Sequence, residues 1–170
     1  MSSTPVVGTR HETHLTVLLA DEDEATLRSL GRVLQDLGHE VTPFAVSVAE
    51  AAELIAREDP DLTIVVVHQD DDHALALIAE AVETASGPVI AQLRGRDDVD
   101  FVARAAERGI SAYVESNDPQ VVQASIEVTI RRYREATRLN EKVGQLESAL
   151  ERRAISSAAS ATETANGVTS

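Results

Sequence analysis

The sequence predicts an α/β fold in which helices cover both faces of a five-stranded parallel sheet. Short β-prone apolar segments alternate with helical segments at nearly regular spacing from residue 14 onward. The segment LTIVVV (62–67) lacks polar alternation, as expected for a strand buried on both faces. Hydrophobic residues make up 43% of the chain and aromatic residues only 2%, so the core must be built from Val, Ile, Leu and Ala.

The first half of the chain supplies two strands and two helices of this pattern. The first strand is LTVLLA (15–20). The next segment (24–38) repeats its leucines at helical period and ends on a glycine. A second, short strand follows at 39–45, and a second helix covers 48–59 until Pro60 stops it.

The second half continues the alternation. After the strand at 62–67 come a helix (72–85), a fourth strand (88–93), a helix (98–109) and a fifth strand (110–115). Five strands joined in this way indicate a doubly wound, flavodoxin-like sheet. In such sheets the functional loops follow the carboxyl ends of the strands.

The last helix is predicted to be unusually long. It begins at Pro119, a favourable first-turn residue. Its early apolar residues should pack on the sheet, whereas later ones recur in steps of four, three and four, which is typical of a coiled-coil seam. The seam residues are Leu139, Val143, Leu146 and Leu150. A seam of about two heptads needs a partner helix, so we expect a homodimer.

These patterns divide the chain into four parts. Residues 1–13 and 156–170 are predicted to be disordered tails, because they are poor in bulky apolar residues. Residues 14–137 form the sheet domain, and residues 138–155 form a coiled-coil arm that continues its last helix.

Composition excludes several classes of function. The chain has no cysteine, which excludes disulfides, thiolate metal sites and a cysteine nucleophile. Residues 14–118 hold 22 acids against 7 arginines, and so acidic a surface makes nucleic acid an unlikely partner, because it repels phosphates. No apolar run is long enough to span a membrane, and the N-terminus lacks the apolar core of a signal peptide. We therefore expect a cytoplasmic protein.

Four segments resemble a known family. They are LLADEDEATLRSL, PDLTIVVV, RGISAYV and the arm RRYREATRLNEKVGQLESALERRAI. Over residues 14–137 the chain resembles the receiver domain of two-component response regulators. More narrowly, it is similar to the receiver and coiled-coil part of ANTAR antitermination regulators. In that family the arm leads into an RNA-binding ANTAR module, but here the resemblance ends near Ile155 and the module is missing.

The resemblance implies phosphoryl transfer to an aspartate, but three of the required positions are altered. The acidic pair that holds Mg²⁺ in the family falls on Asp21 and Glu22. The phosphoacceptor position falls on Val66, which offers neither a nucleophile nor a metal ligand. The Ser/Thr position falls on Leu93 and the Lys position on Ser116. The resemblance therefore implies a degenerate site with weak Mg²⁺ binding at most and no other cofactor.

Other polar residues allow alternative interpretations. Asp70, Asp71 and Asp72 could replace the missing acceptor, although acids at a helix N-terminus explain them better. The flanking histidines His68 and His73 invite a metal interpretation, but they are more simply explained as solvated side chains. The acids after the first strand could bind a cation or cap the first helix. Tyr113 matches the aromatic switch position of the family, or it fills the end of the sheet.

The prediction is a pseudo-receiver without enzymatic activity. It would act in signal transduction by dimerising and by contacting a regulatory protein, independently of phosphorylation. One alternative is a conventional phosphorylated response regulator that uses a displaced acid. Another is a remnant of an ANTAR-type RNA-binding regulator, which the acidic body and the missing module disfavour. A third alternative is an unrelated enzyme on this fold. It is disfavoured because the sequence has neither a Gly-rich phosphate loop nor a nucleophile paired with a base.

Overall fold

The predicted strand-helix alternation is confirmed in the computed structural model of the protein, which describes residues 14–21, 23–68, 71–94 and 99–166. Within these described residues, ten elements follow each other. They are β1 (Thr16–Ala20), α1 (Glu24–Asp36), β2 (Glu40–Val41), α2 (Val48–Glu58), β3 (Leu62–Val67), α3 (Asp71–Thr84), β4 (Val89–Leu93), α4 (Val99–Arg108), β5 (Ala112–Val114) and α5 (Pro119–Asn166).

The five strands form one parallel sheet in the order β2-β1-β3-β4-β5. The order reverses next to β1, and this is the arrangement of a doubly wound, flavodoxin-like fold. The predicted fold class is therefore confirmed. The β2 strand is shorter than the predicted segment 39–45. Glu40 and Thr42 donate to the carbonyls of Leu15 and Val17, but the next donor is Ala45, three residues on instead of two, and this extra residue interrupts the ladder. A single further bridge joins Ala20 to Ala45.

Two apolar layers hold the sheet between the helices. One layer joins alternate strand residues to leucines of α1 and to Val122, Ile126 and Ile130 of α5. The other layer joins the remaining strand residues to α2, α3 and α4, with Phe101 as its largest side chain. All six residues of β3 are buried, as its unbroken apolar sequence predicts.

Glycines end two of the helices as the sequence predicts. Gly38 follows α1 with a φ of 93°, and Gly109 follows α4 with a φ of 103°. These are left-handed conformations that side chains with a Cβ rarely adopt. At Gly109 a Cβ would also lie 2.8 Å from a methyl group of Val82, so both the backbone and the packing require glycine there.

The chain divides into two compact units, Met1–Arg131 and Arg132–Ser170. The division falls within α5 and comes earlier than the boundary predicted at residue 137. The α5 helix continues to Asn166, so the predicted disordered tail does not begin at residue 156. The segment SSAASATETAN contains no proline or glycine and has several alanines, the best helix former, so it has no residue that would stop the helix.

Candidate functional site

The carboxyl edge of the sheet is where a fold of this class places its functional side chains. Asp21 follows β1 and His68 follows β3, and these strands are direct neighbours. The parallel register pairs Ala20 with Val65, which brings the residues that follow both strands to the same edge. The sequence therefore delivers an acid and a base to one place.

Asp21 is buried and hydrogen-bonded by side chain and backbone. Its side-chain Oδ2 lies 2.6 Å from Nε2 of His68, and its backbone N–H donates to the carbonyl of Ala45 at 3.0 Å. The Asp21 side chain is 5% exposed and that of His68 is 34% exposed. The contact joins a carboxylate oxygen, which accepts hydrogen bonds when ionised, to an imidazole nitrogen that can donate one. One of the two acids predicted to hold a cation is thus engaged by a histidine.

His68 is the partner that the sequence analysis did not assign. The sequence favours a solvated side chain for His68, and its contact with Asp21 corrects that interpretation. A usable signal was its position directly after β3, because the residue directly after the neighbouring strand β1 is an aspartate. Adjacent parallel strands that end in an acid and a base form a pair at their shared edge.

Val66, at the predicted phosphoacceptor position, lies inside the apolar layer formed with α1 and α5. It is 2% exposed. Its register partner in β4 is Gln92, whose own partner in β5 is Val114. An isopropyl group at this position cannot attack phosphorus or bind a metal, so β3 brings no nucleophile to the site.

Gln92 is a second buried polar residue at this edge that the sequence analysis missed. It is 2% exposed, and its Nε2 donates to Oδ1 of Asn117 and to the carbonyl of Ser116 at 3.3 Å. These bonds attach the chain after β5 to β4. A polar residue inside the otherwise apolar strand VIAQL was the signal that could have identified it.

Ser116, at the predicted Lys position, contributes to the start of α5. Its Oγ accepts the backbone N–H of Asp118 at 3.0 Å. Asp118 Oδ1 in turn accepts the N–H of Gln120 at 2.8 Å and so caps the helix. Where the family has a lysine side chain, this chain has a serine, whose hydroxyl accepts a hydrogen bond within the turn before α5.

Leu93, at the predicted Ser/Thr position, is buried in the layer formed with α2, α3 and α4. It pairs in register with Val67, and therefore lies on the opposite face of the sheet from Val66. The side chains at these two predicted positions therefore belong to different apolar layers. Arg94, the next residue, has two buried guanidinium nitrogens, Nε and Nη2, without a hydrogen-bond partner in the described part of the chain.

The loop after β1 caps α1. The Asp23 carboxylate accepts the hydroxyl of Thr26 at 2.9 Å and the backbone N–H of Ala25 at 3.0 Å. The Thr26 hydroxyl is the main reason that the pKa of Asp23 is lowered from 3.8, and the Ala25 N–H adds to the effect. The helix-capping interpretation of these acids thus applies to Asp23.

Several predicted residues fall outside the described residues. Glu22 and Asp70 do, and the side chain of Asp71 is not described either. Asp72 is exposed on α3. Among the residues that are described, no three His, Cys, Asp or Glu side chains come together as metal ligands. Because Glu22 is not among them, the predicted acidic pair stays a prediction.

Tyr113 and the four predicted seam residues lie on exposed surface. Tyr113, at the aromatic switch position, is half exposed in the middle of β5 and pairs with Ala91. The side chains of the predicted seam on α5 are each between 51% and 64% exposed. They are Leu139, Val143, Leu146 and Leu150.

The chain is similar to curated proteins over most of its length. It is 31% identical, over 156 residues, to the transcriptional regulatory protein PdtaR of Mycobacterium tuberculosis, in each of two strains. The alignment covers 90% of this chain and 75% of PdtaR. The chain belongs to the PdtaR family. No protein-family profile matches it.

Solved structures agree on the fold of this PdtaR relative. A CheY-like receiver domain from Methanospirillum hungatei matches with a TM-score of 0.61 and 19% identity, covering 73% of this chain and 99% of that domain. The receiver domain of an HD domain-containing protein from Pseudomonas fluorescens matches with a TM-score of 0.62 and 23% identity, covering 74% of this chain and 93% of that one. The chain therefore has the response regulator receiver fold, and with its PdtaR relatives this identifies a signalling regulator.

None of the described helices is long and apolar enough to cross a membrane.

Proposed function

We propose that this PdtaR relative is a pseudo-receiver that regulates through protein contacts and does not use phosphorylation. The observation that carries the proposal is Val66, because a receiver without a carboxylate at this position has no acceptor for a phosphoryl group. The residue is also buried within an apolar layer, where an added carboxylate would be costly to accommodate.

The pairing of Asp21 with His68 supports the same proposal. Phosphoryl transfer to a receiver needs a divalent cation to neutralise the charge of the phosphoryl oxygens. In this chain one oxygen of the Asp21 carboxylate already has a basic partner at 2.6 Å, and a cation would have to compete with it. We infer that Mg²⁺ binding is weak at most and that the site needs no other cofactor.

The protein is proposed to act as a homodimer through α5. The apolar side chains of the seam are more than half exposed, and two copies could bury them against each other. Burial of each such side chain contributes about 1.5–3 kcal/mol before ordering costs. The further partner is a regulatory protein, because the acidic sheet unit repels nucleic acid.

This role needs no enzymatic activity. The proposal includes a cytoplasmic location, which suits a relative of transcriptional regulatory proteins.

The deciding experiment is incubation with acetyl phosphate and Mg²⁺, followed by intact-mass measurement under acidic conditions. The expected result is an unchanged mass, while a receiver with an intact acceptor, treated in parallel, gains one phosphoryl group. A phosphoryl adduct mapped to Asp70, Asp71 or Asp72 would overturn the proposal and establish a displaced acceptor. An RNA-binding assay at moderate salt tests the remaining alternative, an RNA-binding regulator.

A further inference from the structure

The charges beside the α5 seam carry information on how two copies would meet. The heptad phase places Val143 and Leu150 at inner positions of type a, and Leu139 and Leu146 at inner positions of type d. A β-branched residue at a combined with leucine at d favours a two-stranded parallel coiled coil. Val143 at a, between leucines at d, fits this two-stranded pattern, whereas Leu150 at the other a position does not add to it.

Lys142 and Glu147 flank this seam on opposite sides. Lys142 precedes Val143 at a g position, and Glu147 follows Leu146 at an e position. Both side chains are exposed, and neither has an ion pair within the described part of the chain. Lys142 is also the only lysine of the protein.

Neither residue has an opposite charge within reach on its own helix. Side chains interact along a helix at spacings of three and four residues. For Lys142 these neighbours are Arg138, Leu139, Gln145 and Leu146, and for Glu147 they are Val143, Gly144, Leu150 and Glu151. An opposite charge must therefore come from another helix.

A second copy supplies that charge in only one orientation. In a parallel coiled coil in register, a g residue meets the e residue of the following heptad of the other helix. Lys142 then meets Glu147 of the second copy, and the symmetry of the dimer forms this pair twice. In an antiparallel alignment of the same apolar layers, g residues meet g residues, and Lys142 would face Ala149 instead.

An arginine at the end of the seam limits how two parallel helices can be aligned. Arg153 occupies the next d position after Leu146 and is exposed. A shift by one heptad would place this guanidinium in an apolar layer against Leu146 of the second copy. Among parallel alignments, the one in register keeps this arginine out of the apolar layers, and it is also the one that forms the Lys142–Glu147 pairs.

We infer that the partner of the seam is a second copy of this chain, aligned parallel and in register, with orientation selected by paired contacts between Lys142 and Glu147. The inference rests on the proposed dimerisation and deepens it. It predicts a specific pairing of surface charges that dimerisation alone does not require.

Cysteine crosslinking separates the orientations without background, because the natural chain contains no cysteine. In the parallel dimer two copies of the Val143→Cys variant place their sulfurs face to face, within the geometry that a disulfide allows. We expect this variant to form a covalent dimer on mild oxidation, while Ser148→Cys, on the outer face of the helix, does not.

The antiparallel arrangement gives a different result. There Val143 faces Leu146, so crosslinking only in a mixture of Val143→Cys and Leu146→Cys overturns the parallel inference while dimerisation stands. A wild-type protein that is monomeric by light scattering, with no crosslink in any sample, overturns the proposed dimer itself. A dimer without any of these crosslinks places the interface elsewhere and contradicts both.

Charge reversal tests the ion pairs directly. Glu147→Lys should weaken the parallel dimer about tenfold, because two attractive contacts become repulsive. The double variant Lys142→Glu/Glu147→Lys should restore the affinity. Glu141→Lys makes the same change of charge on the outer face and serves as the matched control. Equal effects of Glu141→Lys and Glu147→Lys, or no rescue by the double variant, would contradict the assigned pairs.

Discussion

The apolar side chains of α5 that pack on the sheet are buried, whereas those of the seam in the outer part of the helix are exposed. In the sheet unit Val122, Ile126 and Ile130 of α5 are between 1% and 5% exposed. Beyond Arg131 the same helix presents its apolar seam to solvent, although the sequence pattern is equally regular. Regular apolar spacing therefore predicts a helix in both places, but it does not tell where the apolar face is covered by the chain itself.

The two regions also differ in their polar groups. At the carboxyl edge of the sheet, Asp21 is paired with His68, and Gln92 is bonded to Asn117. Beside the seam, Lys142 and Glu147 have no ion pair among the described residues. In the sheet unit most apolar side chains of the strands and these polar pairs find partners within the unit, whereas the seam and its flanking charges on the outer helix are exposed. This contrast defines four experiments.

The largest expected effect is on the arm. Leu146→Asp removes one apolar side chain from each copy and places a charge in the seam. The loss of two leucines amounts to about 3–6 kcal/mol per dimer, so affinity should fall at least about 100-fold. Light scattering across a concentration series measures this loss. Circular dichroism should show a folded sheet unit, because none of the described residues after Ile130 belongs to its apolar layers.

Ser148→Asp is the matched control for this experiment, because it adds the same charge on the outer face of the helix. A dimer that survives Leu146→Asp would contradict the seam, and would place the interface on the sheet unit.

The reverse experiment addresses the buried part of the helix. Ile126→Ala creates a cavity in the layer between the sheet and α1 and should lower the free energy of unfolding by about 2–5 kcal/mol. Val128→Ala, two residues away and half exposed, should change it very little. Urea denaturation measures both. Similar losses for the two variants would show that Ile126 contributes no more to the core than the half-exposed Val128.

Most of the sheet unit could be predicted from the sequence, because its helices and strands follow from local residue patterns and glycines mark the ends of helices. The unbroken apolar run of β3 and the glycines after α1 and α4 specify burial and helix ends with little dependence on the rest of the chain. The end of α5 could not be predicted in the same way. Low apolar content indicated a disordered tail after Ile155, yet a segment without proline or glycine continued the helix.

The candidate site was predictable only in part. The family resemblance assigned roles to Val66 and Asp21, and the strand pattern placed both at the carboxyl edge of the sheet. The hydrogen bonds of Asp21 to His68 and of Gln92 to Asn117 join residues that are far apart in the chain. Such pairs depend on strand order and register, and the sequence pattern alone determines neither.

The third experiment tests whether the polar edge is internally satisfied. Asp21→Asn and His68→Ala should each destabilise the protein, the second by about 1–2 kcal/mol, because the exposed side of His68 is screened by water. The double variant should lose less than the sum of the two, since each single change already breaks the shared bond. Urea denaturation of all four proteins completes the cycle. Strictly additive losses would mean that the contact between Asp21 and His68 contributes nothing to stability.

The smallest expected effect concerns Asp23, whose hydrogen bonds join the polar edge to the start of α1. Bonds from Thr26 and Ala25 lower the pKa of this carboxyl below 3.8, and its charged form is therefore bound more favourably in the folded state. Its contribution to stability is complete above that value and is lost as the pH falls through the lower pKa of the folded protein. Asp23→Asn keeps a side-chain oxygen for the cap but removes the titrating group. Urea denaturation at pH 6 and pH 3 should thus show a slightly smaller loss of stability on acidification for the variant than for the wild type. Equal losses for the two proteins would mean that the cap does not depend on the charge of Asp23, and that the hydrogen bonds at the helix start act without the carboxylate's charge.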